Sequence, residues 1–476
     1  MTKSAPRVSH YQTELQKVFA NKRWIVATGI VIASINIAKE LVQLGAQKVL
    51  AIGVTRGTGK IDITDDKIDI INLDATAQAD MMGAIRKGEE LLGNLPQWVH
   101  HRIAQFDPHK RTKVIGNIFS THSQIGGRQL LGARPKSWHA LEDKMLIDNL
   151  WDESGIERAP FEIVDIHRNT AVEIIQNIAP KYDWGMGTVW VGDNRDGWHG
   201  GAKLLRWVQT EKQARHAYDF FATKCNAIRI MPFMNGLPCS IHGWNFSEET
   251  IALRPCEMLV YRQANSSMLI YSGSSTNWKP AEKTRKQMHD TAIKVGNHLR
   301  KTVGYLGSFT IDGIVTKHGF RPTELNPRFG AALGRMSASV GGLPLYPLHI
   351  CTAEGIELNY QPQHLRQLIV ETVEANPLIK GMYTLEGQTI QEQKKLHLIP
   401  DQKTGWKIAD DKAENTCSIQ LGPAPSGALV FASIDPCFVK KGIAVASMLA
   451  SLFEFAGKQW NVNIPPLLSS PDVERT

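Results

Sequence analysis

The chain changes its apolar–polar period several times, and each change marks an element. "RWIVATGIVI", from Arg23, is a nearly unbroken apolar run and reads as a strand. "NIAKELVQLGA" follows with helical spacing and a terminal glycine, and "KVLAIGV" reads as a second strand. This β–α–β opening predicts a Rossmann-like lobe over residues 1–135. The character changes in "GARPKSWHALEDKMLIDNLWDESGIERAPFEIV", which predicts a helix carrying Lys144, a glycine stop and a proline-containing link into a strand. "TVWVGDNRDGWHGGAKLLRWV" predicts two strands joined by a loop with Gly197, Gly200 and Gly201. "NAIRIMPFMNGLPCSIHGWNF" predicts strand, turn, strand, with Asn235-Gly236 as a hairpin signal. "AEKTRKQMHDTAIKVGNHLRKTVGY" has the stripe of an amphipathic helix with a basic solvated face. "GSFTIDGIVTKHGFRPTELNPRFG" is again strand, turn, strand. Beyond about residue 350 the pattern is less diagnostic; "ALVFASID" reads as a strand and "KKGIAVASMLASLFEFAGK" as a helix. The expected organisation is an α/β and α+β multidomain chain: 1–135, a central region 136–350, and a small α/β C-terminal domain 351–476.

Composition narrows the classes. Of 476 residues, 42% are hydrophobic and 21% charged, so a sizeable packed core is expected and wholesale disorder is not. The net charge of +8 is spread along the chain, which argues against a nucleic-acid tail and suits anionic small molecules. No stretch gives about 20 clean apolar residues, so no membrane span is expected. The six cysteines show neither CxxC pairs nor zinc spacing, and the polar start lacks a signal core; both point to a reducing cytoplasm. "GVTRGTGK" (Gly53–Lys60) imitates a P-loop, but its glycine spacing is off by one and Ile61 stands where Ser or Thr should hold magnesium. It reads as a glycine-rich turn after a strand.

The chemistry concentrates in "FRPTELNPRFG". Side chains two apart share one face of a strand, so Glu324, Asn326 and Arg328 point the same way, and Pro322 and Pro327 favour extended backbone before them. A turn near Lys317–Gly319 sets Asp312 opposite the Glu324 region. Two carboxylates and an amide oxygen are hard ligands for magnesium, and arginine is the forked partner of phosphate. Together they make a place for metal-bound triphosphate. A solvated hairpin face with ordinary salt bridges is the bland alternative.

Asp312 followed by Glu-x-Asn resembles the magnesium-binding end of ATP-grasp ligases. "RIMPFMNGLPCSIHG", "LRPCEMLVYR" and "DGIVTKHGFRPTELNPRFGAALG", in that order, resemble the ATP-grasp peptide ligases of pheganomycin biosynthesis and their bacterial relatives. The resemblance covers most of the chain and implies a pre-ATP-grasp lobe, an ATP-grasp region and a family-specific C-terminal domain. It implies ATP and Mg2+ as cofactors, with the metal on Asp312, Glu324 and Asn326. Lys144 would touch phosphate, the glycine loop Asp196–Gly201 would close over it, and backbone groups around Met231 and Phe233 would meet the adenine edge, with a plain core strand as the alternative for their side chains. Arg328, Arg254 and Arg335 would hold the transferring phosphoryl group or a substrate carboxylate. Glu257, His242 and Ser240 are candidate substrate contacts, with a structural ion pair and a core histidine as the plainer readings of Arg254–Glu257 and His242. Cys239 reads as structural. The resemblance departs at one place: Gly192 stands where many ATP-grasp enzymes carry a second phosphate-binding lysine, and Lys203 is the candidate substitute.

The implied reaction joins a small-molecule carboxylate to an amine or peptide through an acyl phosphate, releasing ADP and phosphate. A thiol or bicarbonate reaction on the same fold, or a nucleotide-binding regulatory protein without turnover, is the alternative. A cytoplasmic biosynthetic enzyme, such as one making a natural product, is the expected setting, with a homodimer as a guess from the superfamily.

Overall fold

The computed structural model describes all of the chain except residues 1–6, 60, 62–64, 77, 196–199, 264–265, 391, 411–412 and 471–476. Among the described residues, three sheets carry the fold. The first is parallel along Ile68–Asn72, Lys48–Thr55, Arg23–Ile30, Lys113–Ile115 and Arg128–Leu131, with the short Gln124–Ile125 antiparallel at its edge. Its first three strands are apolar on both faces because helices cover them, as the Val31–Gln43 helix does. That helix starts at Val31, five residues before the sequence pattern places it, so the strand stops at Ile30. The glycine-rich stretch after Thr55 is a turn following a strand; Lys60 lies outside the described residues.

The second sheet is small and antiparallel: Glu162–Asp165, Ala227–Pro232, Thr188–Gly192, Leu205–Val208. The third is a long antiparallel sheet that starts at Gly319–Asn326 and Gly307–Thr316, then runs through Leu237–Asn245, Cys256–Gln263 and Leu269–Ser275. It does not stop near residue 350. Ile379–Glu386 pairs with Leu269–Ser275, through Gly273 opposite Gly381, and four further strands up to Gly427–Ile434 continue it. The C-terminal strands therefore extend the sheet that carries the acidic hairpin.

One sequence expectation is corrected here. Asn235-Gly236 does not close a hairpin. Ala227–Pro232 pairs within the small sheet and Leu237–Asn245 within the large one, so the dipeptide links two sheets. A Cβ on Gly236 would meet the Val315 carbonyl oxygen at 2.4 Å, so the glycine serves close backbone approach to the hairpin strand. Distant strand partners outweighed the local turn signal.

The back of the large sheet is covered twice. The Glu282–Val303 helix buries Met288, Ala292, Val295 and Leu299 at helical spacing beneath the acidic hairpin. The Ala446–Trp460 helix buries Leu449, Leu452, Phe453 and Ala456 beneath the C-terminal strands. No described helix is long and apolar enough to cross a membrane.

Candidate functional site

The hairpin of Gly307–Thr316 and Gly319–Asn326 sets Asp312 directly opposite Glu324, with a register shift just after Asp312. Asp312 is held by side chains on both flanks. Ser240 Oγ donates to Oδ1 at 2.6 Å, and Asn326 Nδ2 donates to Oδ2 at 2.9 Å. Asn326 Oδ1 accepts from Arg328 Nη2 at 2.6 Å. Burial, and then the Glu324 carboxylate, push the Asp312 carboxyl up to about 7, against the Ser240 hydrogen bond and the charges of Arg328 and Lys144. Two acids pressed together in this way form a local deficit of positive charge. Lys144 Nζ stands 3.5 Å from Glu324 Oε2.

The cluster is Asp312, Glu324 and Asn326: two carboxylates and an amide. No group of three or more His, Cys, Asp or Glu with metal-binding geometry occurs among the described residues. Two carboxylates and an amide oxygen suit magnesium, which takes oxygen ligands and keeps several from outside the protein. The Asn326 amide oxygen accepts one hydrogen bond from Arg328 and keeps a second lone pair for a cation.

Arg328 is braced from behind. Its Nε donates to Glu142 Oε1 at 2.9 Å, and its guanidinium lies 5.0 Å from the Phe119 ring centre. Glu142 is buried and also takes the Arg134 guanidinium; the two arginines hold its carboxyl below its ordinary value against the larger effect of burial. Sequence reasoning missed Glu142, Arg134 and Phe119: Glu142 lies 186 residues from Arg328, and nothing in the local spacing of the three ties them to it. It also placed Lys144 in a helix. Lys144 sits instead in a turn before the Ile147–Glu153 helix, where Asp143 Oδ1 accepts from the Met145 backbone N–H.

Other candidates fall in distinct places. His242 is buried and shares a hydrogen bond of 2.9 Å with Thr310 Oγ1; burial pushes its ring down to about 3, so it is neutral. Arg254 donates to the Trp278 carbonyl at 3.0 Å and lies 3.8 Å from Glu374, not against Glu257. Arg335 donates to the Lys380 carbonyl at 3.1 Å. The Nε atoms of both arginines are buried without a partner. Tyr271, another residue sequence reasoning missed, lies within the electrostatic reach of Arg335, Asp312 and Arg328. Glu257 stands apart. Its strand neighbour is Cys239, one residue from the Ser240 that pairs with Asp312, so it faces the opposite side of the sheet. There it accepts the backbone N–H groups of Val445 and Ala446 at the start of the C-terminal helix. Cys239 is a buried thiol whose pKa burial raises well above its ordinary value. No disulfide joins the six cysteines, all of which lie among the described residues.

One face of the small sheet carries a separate apolar patch of Val189, Val191 and Met231, against which Phe161, Leu205 and Phe233 pack. Phe233 stacks on Trp207 at 4.4 Å between ring centres. Gly192 points the other way. A Cβ there would meet Cys225 Sγ at 2.4 Å, so the position looks into the core, and a lysine on it could not reach the patch side. Lys203 pairs with Glu386 at 2.6 Å. Gly200 and Gly201 precede it; Gly197 lies outside the described residues.

Comparison with known proteins places the fold. No family model matches the chain, and no curated protein matches its sequence. Among solved structures, the biotin carboxylase domain of 2-oxoglutarate carboxylase from Hydrogenobacter thermophilus, in complex with MgADP, ADP and bicarbonate, superposes with a TM-score of 0.54. It covers 87% of this chain and 86% of that one, at 13% identity. Biotin carboxylase from Campylobacter jejuni, in a complex named for β-γ-ATP, superposes with a TM-score of 0.53 over 87% of each chain, at 15% identity. The chain shares the mixed α/β multidomain fold of these two structures.

Proposed function

We propose that the protein is an ATP-dependent carboxylate–amine ligase that forms an amide or peptide bond through an acyl phosphate and releases ADP and phosphate. The observation that carries this reading is the hairpin cluster: Asp312 opposite Glu324, Asn326 bridging to Arg328, and Lys144 at the edge. The fold shared with structures that hold adenine nucleotides supports it.

Asp312, Glu324 and the Asn326 amide oxygen would hold magnesium, which when bound supplies neutralising charge across the β- and γ-phosphates. Arg328 is fixed by Glu142 and Phe119 before any ligand arrives, so little reorganisation is needed when charge develops on the transferring phosphoryl group. Lys144 adds a second positive charge at the same edge. The patch of Val189, Val191 and Met231 offers an apolar wall for a base, with Phe233 beside it. Arg254 and Arg335 each keep an unpartnered buried Nε, a donor for an anionic substrate group. The chain's work is positioning and charge stabilisation, because phosphoryl transfer asks for little covalent help.

The test is ADP release across a matrix of carboxylic acids and amines, amino acids and short peptides among them. ADP should appear only when both an acid and an amine are present. ADP formed with an acid and a thiol but with no amine would overturn the amine assignment. Tight ATP binding with no ADP from any pair would overturn the ligase reading altogether.

A further inference from the structure

A cleft of about 540 Å³ opens between the Val31–Gln43 helix of the N-terminal lobe and the Ala331–Ser339 helix that follows Arg328. That size suits a medium organic molecule. Ile37, Phe329, Leu343 and Tyr346 make much of its wall apolar, and Glu40 is the charged side chain among the described lining residues. One carboxylate oxygen of Glu40 is buried with no hydrogen-bond partner, and burial pushes its carboxyl up to about 7. A second acid stands behind the wall: Glu89 takes the amide of the lining residue Asn117 at 2.6 Å. No described lysine, arginine or histidine lines the cleft, although the whole chain carries +8.

Two further features bear on an occupant. Gly334 and Gly341 line the cleft, and a Cβ on either would meet nothing within 4 Å, so the space is open to a guest. The cleft also adjoins the candidate reaction centre. Phe329 follows Arg328 directly, and Asn117 and Ile118 precede the Phe119 ring on which Arg328 lies. A carboxylate left without a partner in an apolar wall is costly, and an organic cation removes that cost by supplying both charge and hydrogen bonds.

We propose that this cleft binds an organic ammonium on an apolar body, with Glu40 as its counter-ion, and that this guest is the amine substrate. The second half of the proposal rests on the ligase reading; the first does not. An apolar amine gains from Ile37, Phe329 and Leu343 and pairs with Glu40, whereas an anion of the same shape meets Glu40 and Glu89.

The test titrates the full chain, without ATP, with phenethylamine, 2-phenylethanol and 3-phenylpropionate, followed by NMR. Phenethylamine should bind at least tenfold more tightly than 2-phenylethanol, and 3-phenylpropionate should bind least. Glu40→Gln should remove that preference. Gly334→Leu fills the cleft from an exposed helix position where leucine is a better helix former than glycine, so it should fold and weaken phenethylamine and 2-phenylethanol alike. Equal binding of phenethylamine and 2-phenylethanol, or a preference unchanged in Glu40→Gln, overturns the cation site. The acid–amine matrix separates the two readings. If Glu40→Gln loses the amine preference but no pair yields ADP, the cation site stands and its assignment to a ligase substrate falls. If pairs yield ADP and Glu40→Gln leaves the KM for the amine unchanged, the ligase stands and the cleft assignment falls.

Discussion

Asp312, half-buried, and Glu257, buried, are two acids in one sheet, separated by a single strand and facing opposite sides. Burial pushes both carboxyls up to about 7. Their partners differ in kind. Glu257 receives three hydrogen bonds from the backbone N–H groups of Val445 and Ala446, which the helix start holds in place. Asp312 receives side-chain donors, Ser240 and Asn326, and faces another carboxylate. Backbone donors stay where the fold puts them, whereas side-chain donors can turn toward a ligand. A raised carboxyl pKa alone does not separate a site from a structural cap; the mobility and charge of its partners do.

The sharpest way to break this comparison is to remove the hairpin's charges. Glu324→Ala and Arg328→Ala should each lower ATP turnover on the order of 10²–10³-fold, the scale of losing one positioned charge from a phosphoryl-transfer site. Glu324 is only partly buried, so Glu324→Ala should leave the unfolding midpoint close to wild type, whereas Arg328→Ala also removes one of the two arginines on buried Glu142 and should lower it. Turnover unchanged in either variant would mean that the hairpin is a solvated face and Asp312 no more a ligand than Glu257.

Glu257→Ala should do the reverse. It orphans two N–H groups at a buried helix start and should cost about 2–3 kcal/mol in denaturant unfolding, with turnover per folded molecule retained. A fall in turnover at full stability would move Glu257 into the site. The pH dependence follows from the same residue. Its folded pKa of about 7 lies above the ordinary 4.5, so the folded state keeps a proton that the unfolded chain loses first. Its contribution is therefore fully present below pH 4.5 and is lost as pH rises through 7, a fall of about 2 kcal/mol between pH 5 and pH 7. Glu257→Gln should flatten that part of the stability profile. An unchanged slope would assign it to other groups.

How much of this was legible in the sequence depends on how local the determinant is. The hairpin was readable because a two-residue period and a short turn set its register, and the register brings Asp312 to Glu324. The face of Glu257 was not, because it depends on pairing with Leu237–Asn245, which no local pattern announces. Arg328's support was hidden for the same reason: Glu142 and Phe119 come from segments far along the chain. Asn235-Gly236 misled because a turn dipeptide reports backbone preference and not the sheet each flanking strand joins. Gly192 appeared to be a missing lysine until the pairing of its strand turned that position toward Cys225 and Phe221.

Lys203 and Glu386 supply the intermediate case and the smallest expected effect. Glu386 lies neither in a cation cluster nor against a helix start; it holds a lysine at 2.6 Å, with side chains 29% and 39% exposed. A pair this exposed contributes about 0–1 kcal/mol. If Lys203 is the nucleotide's second lysine, it must exchange Glu386 for phosphate on binding. Lys203→Ala should then raise the KM for ATP about fivefold, while Glu386→Ala leaves it unchanged or lowers it, because the lysine no longer has a competitor. If the pair only ties the small sheet to the C-terminal strands, the two variants should have equal effects, and the double variant should match either one. Equal effects would align Glu386 with Glu257 as a structural acid; opposite effects would align it with Asp312, an acid whose partner leaves when the ligand comes.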